Sequence, residues 1–205
     1  MAHTQDLRSF LEVLHLAENL KKELRHSWLS SGRQESVAEH TWRISLMAIF
    51  LVPLLKQEVN MEKLLKMITI HDLAEAIAGD IPAFAAEAIK RNKYVNEREA
   101  ILVMKDKLPP QIGEELFVLW QEYEEKTSFE AKVANALDKL EVQIQHNEAD
   151  LSTWLEIEHE MSFLLDRHVE FEPVLRDFKN LIEKEAEIKL VQAGIDVESI
   201  KGRIK

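Results

Sequence analysis

The stretch Ile70-His71-Asp72-Leu73-Ala74-Glu75-Ala76-Ile77-Ala78-Gly79-Asp80 sets four ionisable side chains among leucine, isoleucine and alanine. Its composition predicts one buried helix carrying an excess of acid. Carboxylates and imidazoles tolerate burial only when they are paired or bound to a metal. On such a helix Asp72 and Glu75 share a face, while His71 points about 100° away from Asp72. A metal at the His-Asp edge would have Glu75 beside it, free to work on a water. That arrangement points to metal-assisted hydrolysis. Alone the dipeptide is weak, because most His-Asp pairs are surface pairs or buried hydrogen bonds. Its company raises it: Glu35-Ser36-Val37-Ala38-Glu39-His40 precedes one apolar helix, and Asp138 lies within another.

Working outward, the chain reads as an all-α bundle, a single domain over residues 1–205 with additional helices at its C-terminal end. Leu, Ala, Glu and Lys dominate, Gly and Pro number five each, and strand-forming clusters are missing. A first helix is expected over Leu7–Leu24 with Phe10, Leu11, Leu14, Leu16 and Leu20 inward, then a loop from Arg25 to Glu35. Ser36 with Glu39 is a capping box, and the helix it opens is kinked or ended near Pro53. Asn60 caps a third helix that stops at Gly79, before Pro82. Further helices are expected over Ala85–Lys107, up to Glu125, from a second capping box at Thr127–Glu130, and over Pro173–Ala193, with a loose tail after Gly194. In the Asp138 helix, Ala131 and Ala134 share a row with Asp138 and Glu141, small enough to admit a neighbour or a metal.

Composition removes several classes. A net charge of −11 argues against a nucleic-acid or membrane-surface partner, both of which need a basic face. With no cysteine, any metal takes His, carboxylate and water, which favours Mn, Co, Fe, Ni or Mg over structural zinc. No apolar run reaches the roughly 18 residues of a membrane span, and the N-terminus lacks a signal-peptide pattern. The expectation is a cytoplasmic protein, with a homodimer suggested by the apolar C-terminal helices.

The order His40, His71-Asp72, Asp138 resembles the HD-domain superfamily of metal-dependent phosphohydrolases. More closely, Leu24-Arg25-His26-Ser27-Trp28-Leu29, Glu35 to Arg43, His71 to Pro82 and Ala136-Leu137-Asp138-Lys139-Leu140-Glu141 are similar to the bacterial 5′-deoxynucleotidase family and its eukaryotic HD-domain-containing relative. The resemblance implies one divalent ion on His40, His71, Asp72 and Asp138. It implies Glu75 as the group that orients or deprotonates water, with Asp72 beside it in catalysis, Arg25 on the phosphate and Asp80 on the sugar. The substrate implied is a (deoxy)nucleoside 5′-monophosphate. One departure stands out: His26 follows Arg25 where some bacterial members carry an aromatic residue, and Trp28 comes three positions after the arginine. Trp28 is then a candidate either for substrate contact or for packing the phosphate-holding loop.

Each residue also has a bland reading. Glu75 could pair with Arg25 or Arg43, and Arg25 could sit at a helix C-terminus. His15, His146, His159 and His168 are assigned no chemistry, and Glu122, Glu124 and Glu125 read as solvated surface. The rival functions are an HD phosphohydrolase for a triphosphate, cyclic or dinucleotide substrate, and a non-catalytic metal-stabilised binding module. Retention of Glu75 beside a full ligand set weighs against the last.

Overall fold

A computed structural model describes residues 2–82 and 87–204, with the side chains of residues 2, 3 and 87–91 left aside. Helix α1 (Ala2–Ala17) leads through a 3₁₀ turn over Glu18–Lys21 into strands β1 (Leu24–Trp28) and β2 (Gln34–Ser36). These pair antiparallel, Leu24 opposite Ser36 and Trp28 opposite Gln34, with an irregularity between. The expected loop from Arg25 to Glu35 is therefore a hairpin. Polar residues dominate its strands, so the apolar alternation that signals a strand is missing. Leu16 and, just after α1, Leu20 pack inward with Val13 as expected, whereas Leu11 and Leu14 are exposed, which corrects the expected face at those two positions.

Ser36 caps α2 (Val37–Leu51) as expected, and both halves of the capping box with Glu39 are formed. A 3₁₀ turn over Val52–Leu54 holds Pro53 at the helix end. Val37–Leu54 is, by length and composition, apolar enough to cross a membrane, contrary to the sequence expectation. One face of it carries His40, Ile44, Met47 and Ala48 into the interior, while Trp42, Ile49 and Phe50 stay exposed on the other.

Asn60 caps α3 (Met61–Ile70) as its side chain accepts from the Lys63 amide. The helix does not continue to Gly79. It breaks at His71 and resumes as a single turn, α4 (Glu75–Ala78). Across the break the amides of Leu73, Glu75 and Ala76 bond three residues back, to Ile70, Asp72 and Leu73. The cause is local. His71 Nδ1 donates to the Ile68 carbonyl at 2.7 Å, the acceptor that a continuing helix would offer to Asp72. Gly79, at φ +79°, ends α4, and the Asp80 amide donates to Glu23 at 3.0 Å.

Helices α5 (Glu87–Lys107) and α6 (Pro110–Glu125) form an antiparallel pair. The Ala85 start expected for α5 lies outside the described residues. At Gly113 the two helices come so close that a Cβ would sit 2.5 Å from the Lys105 carbonyl oxygen. Ser128, not Thr127, caps α7 (Phe129–Glu148), accepting from the Ala131 amide, so the N3 position falls on Ala131 and the expected box with Glu130 does not form. Helix α7 is the central rod: Val133, Ala134, Leu137 and Leu140 pack with Ile44 of α2, Met67 and Ile68 of α3, and Leu175. Short helices α8 (Glu156–Met161) and α9 (Asp166–Val169) lead to α10 (Pro173–Gln192). The expected loose tail instead forms α11 (Val197–Arg203), anchored by buried Val197 and Ile200.

Candidate active site

Three elements deliver the ligand candidates to one place. The capping box starts α2 so that His40 falls one turn in, fully buried. The break after α3 turns His71 and Asp72 toward it, and α7 brings Asp138 across. His40 Nε2 lies 3.2 Å from Asp138 Oδ1 and 3.8 Å from Asp72 Oδ2, and His71 Nε2 lies 3.0 Å from Asp72 Oδ2. Despite these distances, neither Nε2 makes a hydrogen bond.

The opposite nitrogens are committed. His71 Nδ1 must donate, because its partner is the Ile68 carbonyl. His40 Nδ1 donates to the Glu141 carboxylate in a short contact. Both rings are thus held in the tautomer that presents an Nε2 lone pair, the arrangement that outer partners impose on metal-ligating histidines. Asp138 Oδ2 accepts from Tyr123 at 2.9 Å and faces Lys139 Nζ at 2.8 Å, which leaves Oδ1 to face the ring. The ligand atoms of His40, His71 and Asp72 lie within 4.8 Å of one another. Buried nitrogens without partners, opposed by carboxylate oxygens, fit a divalent ion of the His-and-carboxylate type. A second ligand-capable group, Glu35, His40 and Glu141, meets the same distance. There, however, Glu141 is engaged by His40 Nδ1 and by Arg43 at 3.4 Å, so it reads as support for the ring.

Charge follows this geometry. Burial and Arg25 oppose the imidazolium of His40, but Glu141 and Asp138 outweigh them and bring its pKa up to about 9; an ion binding at Nε2 would displace that second proton and leave the neutral tautomer described above. Burial works against the carboxylate of Asp72, yet His71, Arg25 and His40 hold its pKa well below the ordinary range. Glu75 goes the other way: burial, then Asp72 and Asp80, push its carboxyl up to about 10 while Lys93 and Arg25 oppose; a divalent cation beside it would draw it back toward the carboxylate that a base must be.

A cavity of about 420 Å³ opens on this cluster. Arg25, Asp72, Glu75, Asp80 and Asp138 all line it. Arg25 comes from β1 rather than a helix end, 3.5 Å from Asp72 and 3.6 Å from buried Glu35. Glu75 pairs with neither Arg25 nor Arg43 among the described contacts; its partner is Lys93, at 3.5 Å. Trp28 does not line the cavity. Its ring packs edge-on against His26 at 4.7 Å, and its carbonyl accepts from Gln145 at 2.6 Å, which places it in support of the hairpin.

The sequence reading missed several neighbours. Lys93 on α5 and Tyr123 on α6 stand far along the chain from the motifs. His146 and His168, assigned no chemistry, line the cavity with Glu158, and Glu122 and Glu124 are half-buried rather than solvated. Glu141 alone carried a usable signal, one helical turn beyond Asp138 on the same small-residue row.

Comparison with known proteins agrees. The HD domain family matches residues 17–180. The Homo sapiens protein named 5′-deoxynucleotidase HDDC2 is 34% identical over 161 residues, 78% of this chain and 74% of that protein. Its Danio rerio counterpart is 36% identical over 142 residues, 68% and 69% of the two chains. Among solved structures, a Magnetospirillum magnetotacticum protein named "predicted metal-dependent phosphohydrolase" superposes with a TM-score of 0.78 at 28% identity, over 90% of this chain and 97% of that one. This chain belongs to the HD domain family.

Proposed function

We propose that the protein is a metal-dependent phosphomonoesterase that hydrolyses deoxynucleoside 5′-monophosphates to nucleoside and phosphate. The observation that carries this reading is the pair of buried, unpartnered Nε2 atoms of His40 and His71 facing the carboxylates of Asp72 and Asp138 at the floor of a cavity. The names of the HDDC2 relatives supply the substrate class. The cavity, at about 420 Å³, is within the ordinary range for small-molecule sites.

His40, His71, Asp72 and Asp138 would hold the ion, which when bound supplies positive charge to the phosphoryl oxygens and lowers the pKa of a water. The chain's own groups do the rest. Arg25, kept cationic by Asp72, sits on the cavity wall where it can bind two phosphate oxygens. Glu75 accepts the proton of the attacking water as the new P–O bond forms and the P–O5′ bond breaks. The departing 5′-oxygen takes up a proton from solvent water and leaves as the nucleoside hydroxyl, while Glu75 returns its proton to solvent. Asp80 also lines the cavity, and in this reading it accepts from a sugar hydroxyl.

The test is phosphate release from deoxy- and ribonucleoside 5′-monophosphates with Mn, Co and Mg, beside triphosphate and cyclic substrates, with elemental analysis of the same protein. Release confined to monophosphates and abolished by chelation is expected. Metal bound with no release from any nucleotide would replace this reading with the binding module. We also read the protein as a homodimer, on the exposed apolar face of α2 formed by Trp42, Ile49 and Phe50. Sedimentation at micromolar concentration checks this, and a clean monomer refutes it.

A further inference from the structure

Glu75 is buried, yet its two oxygens differ. Oε1 faces Lys93 Nζ at 3.5 Å, while Oε2 is shut off from solvent and has no hydrogen-bond partner. Lys93 is itself held from below. Glu97, one turn further along α5 and 5% exposed, stands 3.3 Å from the same ammonium. The order is Glu97, Lys93, Glu75: a cation clamped between two buried carboxylates, reaching from α5 to α4. Lys93 also lines the cavity with Arg25, Asp72 and Asp80. None of the sequence motifs contains it.

We propose that Lys93 is a positioning residue for the reaction: it fixes Glu75 through Oε1 and so keeps Oε2 free of other partners, in reserve for the attacking water. Glu97 in turn holds Lys93 in place. This rests on the function proposed above and on Glu75 as its base.

Three physical points favour it over a simple surface pair. Both carboxyl groups are almost wholly buried, so removing the ammonium takes away the positive charge between them that favours their ionised forms in a low-dielectric setting. Lys93 has a single flexible stem, and two acceptors on different helices restrict it more than either alone. Finally, one oxygen bound and one bare is the geometry that a proton acceptor requires.

The experiment compares K93M, K93R and E97Q with the wild type, each also in the E75Q background, using metal-loaded protein and deoxyadenosine 5′-monophosphate. K93M is expected to lower kcat by about 30-fold with KM held within about threefold, since it acts through the base and not through binding. K93R restores most of kcat, and E97Q gives a smaller loss of the same kind. In the E75Q background K93M adds little, because the two residues act as a unit. Metal content by elemental analysis, and nucleotide affinity of E75Q/K93M by calorimetry, stay at the values of their parents.

Any of these results overturns the proposal: full kcat in K93M beside a silenced E75Q, a rise in KM with kcat intact, or multiplicative losses in the double variant. A loss of metal from K93M would overturn it too, by making the residue structural. Full turnover in E75Q itself would instead remove Glu75 as the base, and the proposed function would need another.

Discussion

Replacing Glu141 with glutamine tests how the structure prepares its histidine. Glu141 is 0% exposed and accepts from His40 Nδ1, and its other oxygen lies 3.4 Å from Arg43. Glutamine keeps the length and one acceptor oxygen but removes the charge. Arg43 is not stranded by the change, since it also donates to Glu148 at 2.9 Å and to Gln145. What is lost is the polarisation that makes the His40 Nε2 lone pair a better donor. Outer partners of this kind contribute about 10- to 100-fold in metal affinity, or ~1.4–2.7 kcal/mol. The assay is an equilibrium competition for Mn or Co against a fluorescent chelator. Thermal unfolding with and without the ion provides a second reading, because under saturating metal the stabilisation falls by RT times the logarithm of the same affinity ratio. An unchanged metal affinity in Glu141→Gln would refute the assignment of His40 as a ligand oriented through Nδ1.

Other expectations follow from the same geometry. His71→Ala and Asp138→Ala should each lose metal and activity together, by elemental analysis and phosphate release; full occupancy in either would break the ligand set. Glu75→Gln should bind metal and nucleotide nearly normally while turnover falls ~10²–10⁴-fold; near-normal turnover would make Glu75 a mere partner of Lys93. His168 is held neutral by burial, then by Arg167 and Lys139, with its pKa lowered to about 4. The unfolded chain therefore binds the extra proton first, so this contribution to stability is complete above about 6.5 and is lost as pH falls through that value toward about 4. Urea titrations of wild type and His168→Gln across this window should converge as the pH falls, and parallel curves would refute it. Gly113→Ala should destabilise by about 1–3 kcal/mol through the clash with the Lys105 carbonyl, read as a lower urea midpoint; an unchanged midpoint would mean that α5 and α6 part freely.

Much of this was legible in the chain, and what was not has physical causes. The Ser36–Glu39 capping box, Pro53 and Asn60 are local signals, so the start of α2 and of α3 could be read directly. Ser36 matters most, because it fixes the phase that buries His40. The break at His71 was invisible to periodicity: it arises when a side chain competes for a backbone carbonyl, and the apolar pattern runs on across it. The hairpin hid for a related reason, since Arg25, His26 and Ser27 face a polar site instead of an apolar core. The ligand candidates emerged from their order and from resemblance. Lys93, Tyr123 and Glu141 did not, because each is defined by the residue it meets from another helix. The C-terminal helix α11 escaped because Val197 and Ile200 are two apolar residues in a polar tail, too few for a pattern but enough for an anchor.

The separation of the ligand candidates along the chain bears on when the protein can acquire its ion. His40 sits on α2 and His71 and Asp72 in the turn after α3, while Asp138 and the supporting Glu141 arrive with α7. During synthesis, which proceeds from the N-terminus, no fragment ending before α7 holds the complete set. An early fragment offers two histidines and one aspartate, without the carboxylate that orients His40. Tight loading therefore belongs to the end of folding, after the central rod has docked on α2. An ion held by these four residues would therefore be a late arrival, and a chain stalled before α7 has no finished site in which to trap it.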